Sequence, residues 1–309
     1  MSELRFDGRV AVITGAGRGL GRTYAELLAA RGAKVVVNDL GVSLKGDSVL
    51  TGAGVGEDPA AETVAAIKAA GGEAVANYDS VATPEGGQAI IQAALDHYGR
   101  IDILIHNAGV VRRAPLAEMS YEDFEFVLDV HMRGAFHVVR PAFPIMCKNG
   151  YGRVVLTGSI NGLYGNYKNA NYSVAKAGTQ GLSNVVALEG AEHNVKSNVI
   201  LPAAVTRMSE GVDTSAFPPM PPEMVAAAVG WLCHESCSMT GEMLISAAGR
   251  VAKAYVAETV GAYQPSWTIE EIAAQATAIC DESHSVVFKP VPWGQLDHLK
   301  YSFAMASKG

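Results

Sequence analysis

The chain has 309 residues, 49% apolar and 18% charged, enough to fill the core of one large α/β domain and inconsistent with a disordered polymer. The formal net charge is −7 and no run of five basic residues occurs, which argues against nucleic acid as a partner but not against a small anion held by backbone amides. No apolar stretch reaches the roughly 20 residues of a membrane span, and Met1–Gly8 lacks an apolar signal core, so no membrane partner is expected and the cytoplasm is the expected compartment.

In chain order, Arg9–Thr14 reads as a buried strand ending in glycines, Arg18–Arg31 as a helix and Lys34–Asp39 as a second strand. Ala60–Ala70 (helix), Glu73–Tyr78 (strand), Glu85–Tyr98 (helix) and Ile101–His106 (strand) follow. Tyr121–Cys147 reads as one long helix, Gly152–Thr157 as a fifth strand, Asn171–His193 as another long helix, Val195–Leu201 as a sixth strand and Met243–Ser246 as a seventh. Strands apolar on both faces, alternating with helices, mean a parallel sheet covered on both sides: a Rossmann-like, doubly wound α/β fold of about seven strands. Residues 1–248 are expected to form the dinucleotide-binding domain carrying the catalytic site. Residues 249–309 are expected to form an extension, packed on the core or on a partner subunit, with one helical pattern at Thr268–Cys280. Its apolar residues Trp267, Ile269, Ile272, Val286, Val287, Phe288 and Trp293 need burial somewhere. Two loops interrupt the rhythm: the glycine-rich Gly41–Asp58 insert, and Val205–Pro222, which ends in the rigid FPPMPP segment. Cys233 and Cys237 sit four apart in an expected helix, not a common zinc spacing, and no second pair follows, so no metal is expected.

Thr14-Gly15-Ala16-Gly17-Arg18-Gly19-Leu20-Gly21 lies between a strand and a helix, the context a phosphate-binding turn requires. Gly15 suits the tight turn, Gly19 leaves room for a pyrophosphate beside the backbone, and Gly21 permits close packing of helix on strand. The amides of the helix N-terminus then face the phosphates. Asp39, ending the second strand, would accept from ribose hydroxyls and repel a 2′-phosphate, favouring NAD; Arg18 is the counter-signal, since it could hold that phosphate. Asp79, with Ser80 beside it, could accept from the adenine amine or cap a nearby helix.

Tyr172 and Lys176 stand at i and i+4 on one helix face, and Ser159 follows the fifth strand at the carboxyl edge where such sheets bind ligands. A neighbouring ammonium should bring the phenol down from its usual value near 10, and Ser159 should hold a substrate oxygen against it. Ile160, Asn161, Tyr164, Tyr167 and the 205–222 loop are candidates for the substrate wall.

The glycine turn, Asn107-Ala108-Gly109, and Ser159 with Tyr172-Ser173-Val174-Ala175-Lys176 resemble the short-chain dehydrogenase/reductase family over about residues 6–246. The resemblance implies an Asn107-Ala108-Gly109 turn lining the cofactor site, with Leu20, Pro202 and Val205 also at the dinucleotide. It implies that Tyr172 and Lys176 pass a proton to solvent through a ribose hydroxyl. VVNDLG, ANYDSV, VHMRGAF, ANYSVAKAG and LCHESC are similar, more narrowly, to the dehydrogenase units of peroxisomal multifunctional enzyme type 2, also called 17β-hydroxysteroid dehydrogenase type 4. That likeness implies NAD-dependent oxidation of (3R)-3-hydroxyacyl-CoA to 3-oxoacyl-CoA in lipid metabolism, and a homodimer or homotetramer. The alternatives are a hydroxysteroid dehydrogenase or an NADPH-dependent 3-oxoacyl reductase. The hydratase and sterol-carrier domains of those enzymes are not expected within these 309 residues. Four positions depart from the pattern. His131 stands where the broad family usually has an Asn whose backbone carbonyl holds a relay water; it either keeps that role or is a packed helix residue. His106 replaces a usual Asn, Ala203 a usual Gly, and Arg113 stands where the narrower relatives often carry an acid.

Overall fold

The computed structural model describes residues 3–41, 58–206, 213 and 215–307; most of the Gly41–Asp58 insert and part of the Val205–Pro222 loop lie outside them. The first half runs β1 (Val10–Thr14), α1 (Gly19–Ala30), β2 (Lys34–Asn38), α2 (Pro59–Ala69), β3 (Glu73–Asn77), α3 (Pro84–Tyr98), β4 (Ile103–His106) and α4 (Tyr121–Leu128). A π turn (Asp129–Arg133) leads into α5 (Gly134–Asn149), then β5 (Gly152–Thr157), α6 (Asn161–Tyr164), α7 (Ala170–Gly190), β6 (Val195–Ala203), α8 (Glu223–Cys233) and β7 (Glu242–Ala247). The chain closes with β8 (Arg250–Ala254), β9 (Glu258–Thr259), α9 (Ile269–Ile279), β10 (Ser285–Val286) and α10 (Gln295–Ala306).

The main sheet has the order β3-β2-β1-β4-β5-β6-β7-β8. Every pairing from β3 to β7 is parallel, and β8 is antiparallel to β7. β1, β2, β4 and β5 are short apolar runs buried on both faces, as a sheet sandwiched between helices demands. Ala11, Ile13, Val35, Val37, Ile103 and Ile105 enter the core under α1, α2 and α8. Val10, Val12, Val36, Leu104, Val154 and Leu156 enter the core under α3, α5 and α7. The winding reverses between β1 and β4, where Thr14 lies opposite His106 in register; ligands of such sheets lie outside the carboxyl ends at this reversal.

Three expectations are revised. Tyr121–Cys147 is not one α-helix, because the π turn separates α4 from α5. Cys237 lies beyond α8, which ends at Cys233. The segment after Gly249 holds more than one helix: it adds an eighth strand to the sheet, a two-stranded β9–β10 pair and α10. No described residue from 248 to 307 is buried, although Gly294 closes on Leu188 of α7. Among the described residues, no helix is long and apolar enough to cross a membrane.

Candidate active site

The glycine turn fits a dinucleotide phosphate. Helices α2, α3 and α4 are capped by the side chains of Asp58, Thr83 and Ser120, which accept from Ala61, Gly86 and Asp123 amides. α1 has no side-chain cap and no acid in its first turn, so its end amides and partial positive charge suit an anionic ligand. Gly19 adopts φ +54°, and among the described residues a Cβ there would meet only Thr206, at 3.7 Å. At Gly21 a Cβ would overlap the Gly15 carbonyl and lie 2.6 Å from Asn107 Nδ2, so its side chain is excluded by the protein's own packing. Arg18 stands half-buried at the start of α1, next to Leu20 in the same turn.

Asp39 is aimed across this turn. Its Oδ2 accepts from the Gly17 amide at 2.9 Å and its Oδ1 from the Gly41 amide at 2.9 Å. The carboxylate is thereby fixed at the carboxyl end of β2, where a ribose would lie. Asp79 does not cap α3, since Thr83 does; instead the Asp79 carboxylate accepts from Asn77 Nδ2 at 2.7 Å, and its carbonyl from Asn38 Nδ2 at 2.8 Å. The Ser80 hydroxyl accepts from the Ala82 amide. Asn107 Nδ2 reaches the carbonyls of Thr14 and Gly15, and Ala108 presses on Gly15, tying the Asn107–Gly109 turn to the phosphate turn. Pro202 pairs with Ser246 in the sheet, and the Val205 amide donates to the Met220 carbonyl at 2.8 Å.

Ser159, Tyr172 and Lys176 meet at the same edge. The short helix α6 follows Ser159, whose hydroxyl accepts from the Asn161 amide at 3.1 Å. Gly162 lets α6 lie against α7: a Cβ there would be 2.8 Å from the Ala177 nitrogen and 2.9 Å from the Lys176 carbonyl carbon. Lys176 is buried; its Nζ donates to the Thr157 carbonyl at 2.5 Å and stands 5.5 Å from the Tyr172 ring centre. Burial pushes the Lys176 ammonium down to about 7. For Tyr172 the leading influence is also burial, which raises the phenol, while a hydrogen bond with Ser159 and the charge of Arg113 lower it. The expected lowering by Lys176 is not among these influences, and desolvation of a phenolate outweighs the Ser159 hydrogen bond and the Arg113 charge.

His131 sits in the π turn, buried, with its ring edge-on to Tyr172 at 5.2 Å and 85°. Its Nε2 lies 2.8 Å from the Val110 carbonyl, and Gly109 leaves room for it: a Cβ there would be 2.5 Å from Cε1. Its backbone carbonyl is engaged by His106 Nε2 at 3.1 Å. The ring is thus packed, and the carbonyl expected to hold a relay water accepts a hydrogen bond from within the protein.

One supporting residue was not singled out from sequence. Asn171, fully buried, donates through Nδ2 to the Arg112 and Asp123 carbonyls and accepts from the Tyr172 amide. It pins the start of α7 to α4 and to the loop carrying Arg113. A polar residue directly before Tyr172 at a helix start was the available signal. Exposed Ile160, Leu163, Tyr164 and Tyr167 form an apolar rim beside the site. Among the described residues, no group of three His, Cys, Asp or Glu could hold a metal ion.

The reversal of winding, the uncapped glycine turn and the Ser–Tyr–Lys edge define a dinucleotide-binding α/β oxidoreductase of CH–OH groups. A family model described as short chain dehydrogenase matches residues 9–215, and the chain belongs to this family, which uses NAD or NADP. It is 48% identical over 261 residues to peroxisomal multifunctional enzyme type 2 of Drosophila melanogaster, covering 84% of this chain and 42% of that protein. The solved structure of the full-length Drosophila enzyme superposes with a TM-score of 0.80 at 37% identity, over 99% of this chain and 50% of that one. A 7α-hydroxysteroid dehydrogenase solved with NADH and 7-oxo glycochenodeoxycholic acid gives a TM-score of 0.72 at 28% identity, over 81% of this chain and 98% of that one. This chain thus spans less than half the length of its multifunctional relative from Drosophila.

Proposed function

We propose that the protein is an NAD-dependent dehydrogenase that oxidises a secondary alcohol, with (3R)-3-hydroxyacyl-CoA as the leading substrate class and 3-oxoacyl-CoA as product. The observation that carries the reading is the buried Lys176 beside the half-buried Tyr172 on one face of α7, with Ser159 in hydrogen-bonding reach of the phenol. The dinucleotide supplies the hydride acceptor; Gly15, Gly19 and Gly21 would admit its pyrophosphate and Asp39 its ribose hydroxyls. Ser159 would hold the alcohol oxygen, and Tyr172 would take its proton as the carbinol hydrogen leaves as hydride. The Ser159 hydroxyl and the Arg113 charge offset part of the burial penalty on the phenolate. The preference for NAD rests on Asp39, held by two backbone amides where a 2′-phosphate would have to lie. The opposing NADPH reading rests on Arg18.

A hydroxysteroid alcohol is the second reading, favoured by the exposed apolar rim of Ile160, Leu163, Tyr164 and Tyr167. We read the assembly as a homodimer or homotetramer and the compartment as the cytoplasm, where the free thiols Cys147, Cys233, Cys237 and Cys280 would stay reduced. The test is NADH production from 3-hydroxybutyryl-CoA, longer 3-hydroxyacyl-CoAs and a steroid alcohol panel. We expect turnover with an acyl-CoA, and a loss of about 100-fold or more in Tyr172→Phe with dinucleotide binding retained. No NADH from any of them would remove the assignment.

A further inference from the structure

We propose that His106, at the end of β4, is a positioning residue that links the phosphate turn to the Tyr172 face of the site by holding the His131 carbonyl. The inference rests on the reading of Tyr172 as the acid/base.

The hydrogen bonds leave the His106 ring a single arrangement. Thr14 Oγ1 accepts from the Asn107 and Ala108 amides, both at 3.1 Å. A hydroxyl has two acceptor sites and one hydrogen. Both acceptor sites are taken, so the hydrogen is directed at His106 Nδ1, 3.0 Å away. Nδ1 is then an acceptor, and a neutral imidazole in that state carries its proton on Nε2. Nε2 faces the His131 carbonyl at 3.1 Å and donates to it. Burial, with the Lys176 charge, keeps this ring neutral, its pKa pushed down to about 3.

Each end of this chain of bonds touches the chemistry. Thr14 gathers the Asn107–Ala108 turn, and Ala108 presses on Gly15 of the phosphate turn: a Cβ on Gly15 would be 2.7 Å from Ala108 Cα. At the other end, His131 lies inside the π turn, where the Gly134 amide bonds back five residues to the Asp129 carbonyl. Such a turn holds one residue more than α-helical spacing allows and needs outside support. His106 Nε2 supplies it at the backbone, while Val110 and Gly109 confine the His131 ring against Tyr172. Without the His106 donor, the His131 carbonyl loses a partner in a buried setting and the Tyr172 ring loses its fixed neighbour.

The test compares wild type, His106→Leu and His106→Asn; the asparagine amide can still donate towards the carbonyl. We expect His106→Leu to keep dinucleotide affinity and alcohol KM within about threefold while kcat falls about 30-fold or more, and His106→Asn to recover about tenfold of that loss. A wild-type kcat in the leucine variant overturns the proposal. So does a parallel loss of kcat, KM and dinucleotide affinity that asparagine does not rescue, since that marks a merely structural residue. Two readouts are independent of turnover, so a wild type inactive on every alcohol would sink the assignment of function and leave this inference still decidable. Ring nitrogen NMR of the wild type should show His106 protonated on Nε2, and amide exchange at Gly134 should accelerate in His106→Leu. A ring protonated on Nδ1, or unchanged exchange, overturns it.

Discussion

Lys176 is a buried ammonium bonded to the Thr157 carbonyl, and its charge opposes folding. A free lysine near 10.5 is pushed to about 7 in the folded chain by burial. Between those values the unfolded state binds more protons, so this residue's contribution to stability improves as pH rises from 7 to 10.5 and is worst below 7. The shift corresponds to a penalty on the order of 5 kcal/mol at pH 6. We predict that Lys176→Met loses activity yet is more stable than wild type at pH 6, with the advantage shrinking by pH 9; denaturation midpoints at the two pH values decide it, and a gap that widens with pH would contradict the assignment. Asp39 carries the other residue-scale prediction. Removing its carboxylate should cost about tenfold or more in NAD affinity and narrow the gap to NADP. Equal kcat/KM ratios for NAD and NADP in wild type and Asp39→Ala would show that Arg18, not Asp39, sets the preference.

At the scale of elements, α6 and α7 meet through a missing side chain. Gly162 brings the Ser159 turn onto Lys176, and a methyl there would collide with main-chain atoms of α7 that cannot swing away. We predict that Gly162→Ala displaces Ser159 and lowers kcat by about 10-fold or more, with a stability loss of about 1–3 kcal/mol; kcat and the thermal midpoint measured together check it. The alternation of strands and helices was legible in the sequence because both faces of β1, β2, β4 and β5 are buried, leaving apolar runs with glycine stops. The glycine turn and the Tyr172–Lys176 spacing were legible because their chemistry is local. The π turn was not: it differs from α-helix by one residue in five, and what holds it are contacts from Gly109, Val110 and His106, distant in sequence. Nor was β8, since Arg250–Ala254 has no apolar run and is a strand only through pairing with β7. The influence of burial on the Tyr172 phenol was also hidden, because spacing places charges but does not report how much water is excluded.

For the whole molecule, the segment from Gly249 combines two facts that pull in different directions. β8 completes the sheet and covers the edge of β7, with Lys253 paired to Glu242 across the strands. Beyond it α9 and α10 bury nothing, and Ile269, Ile272, Val287, Trp293 and Phe303 are exposed. Apolar side chains gathered on one extension are more costly to leave in water than scattered ones. The turn at Pro290–Gly294 still lies against Gly241 and against Leu188 of α7, so the extension is held close to the core rather than trailing from it. Truncation after Gly249 would therefore do two separable things. It would open the β7 edge, a ready template for pairing with another chain, and it would remove the apolar faces of α9 and α10. We predict aggregation, or loss of the proposed oligomer, for this truncation. Truncation after Ala254, which keeps β8, should stay dispersed while changing the oligomeric state. Size exclusion with light scattering on both variants separates the effects: an unchanged oligomer in both would show that the extension is needed neither for the sheet edge nor for assembly.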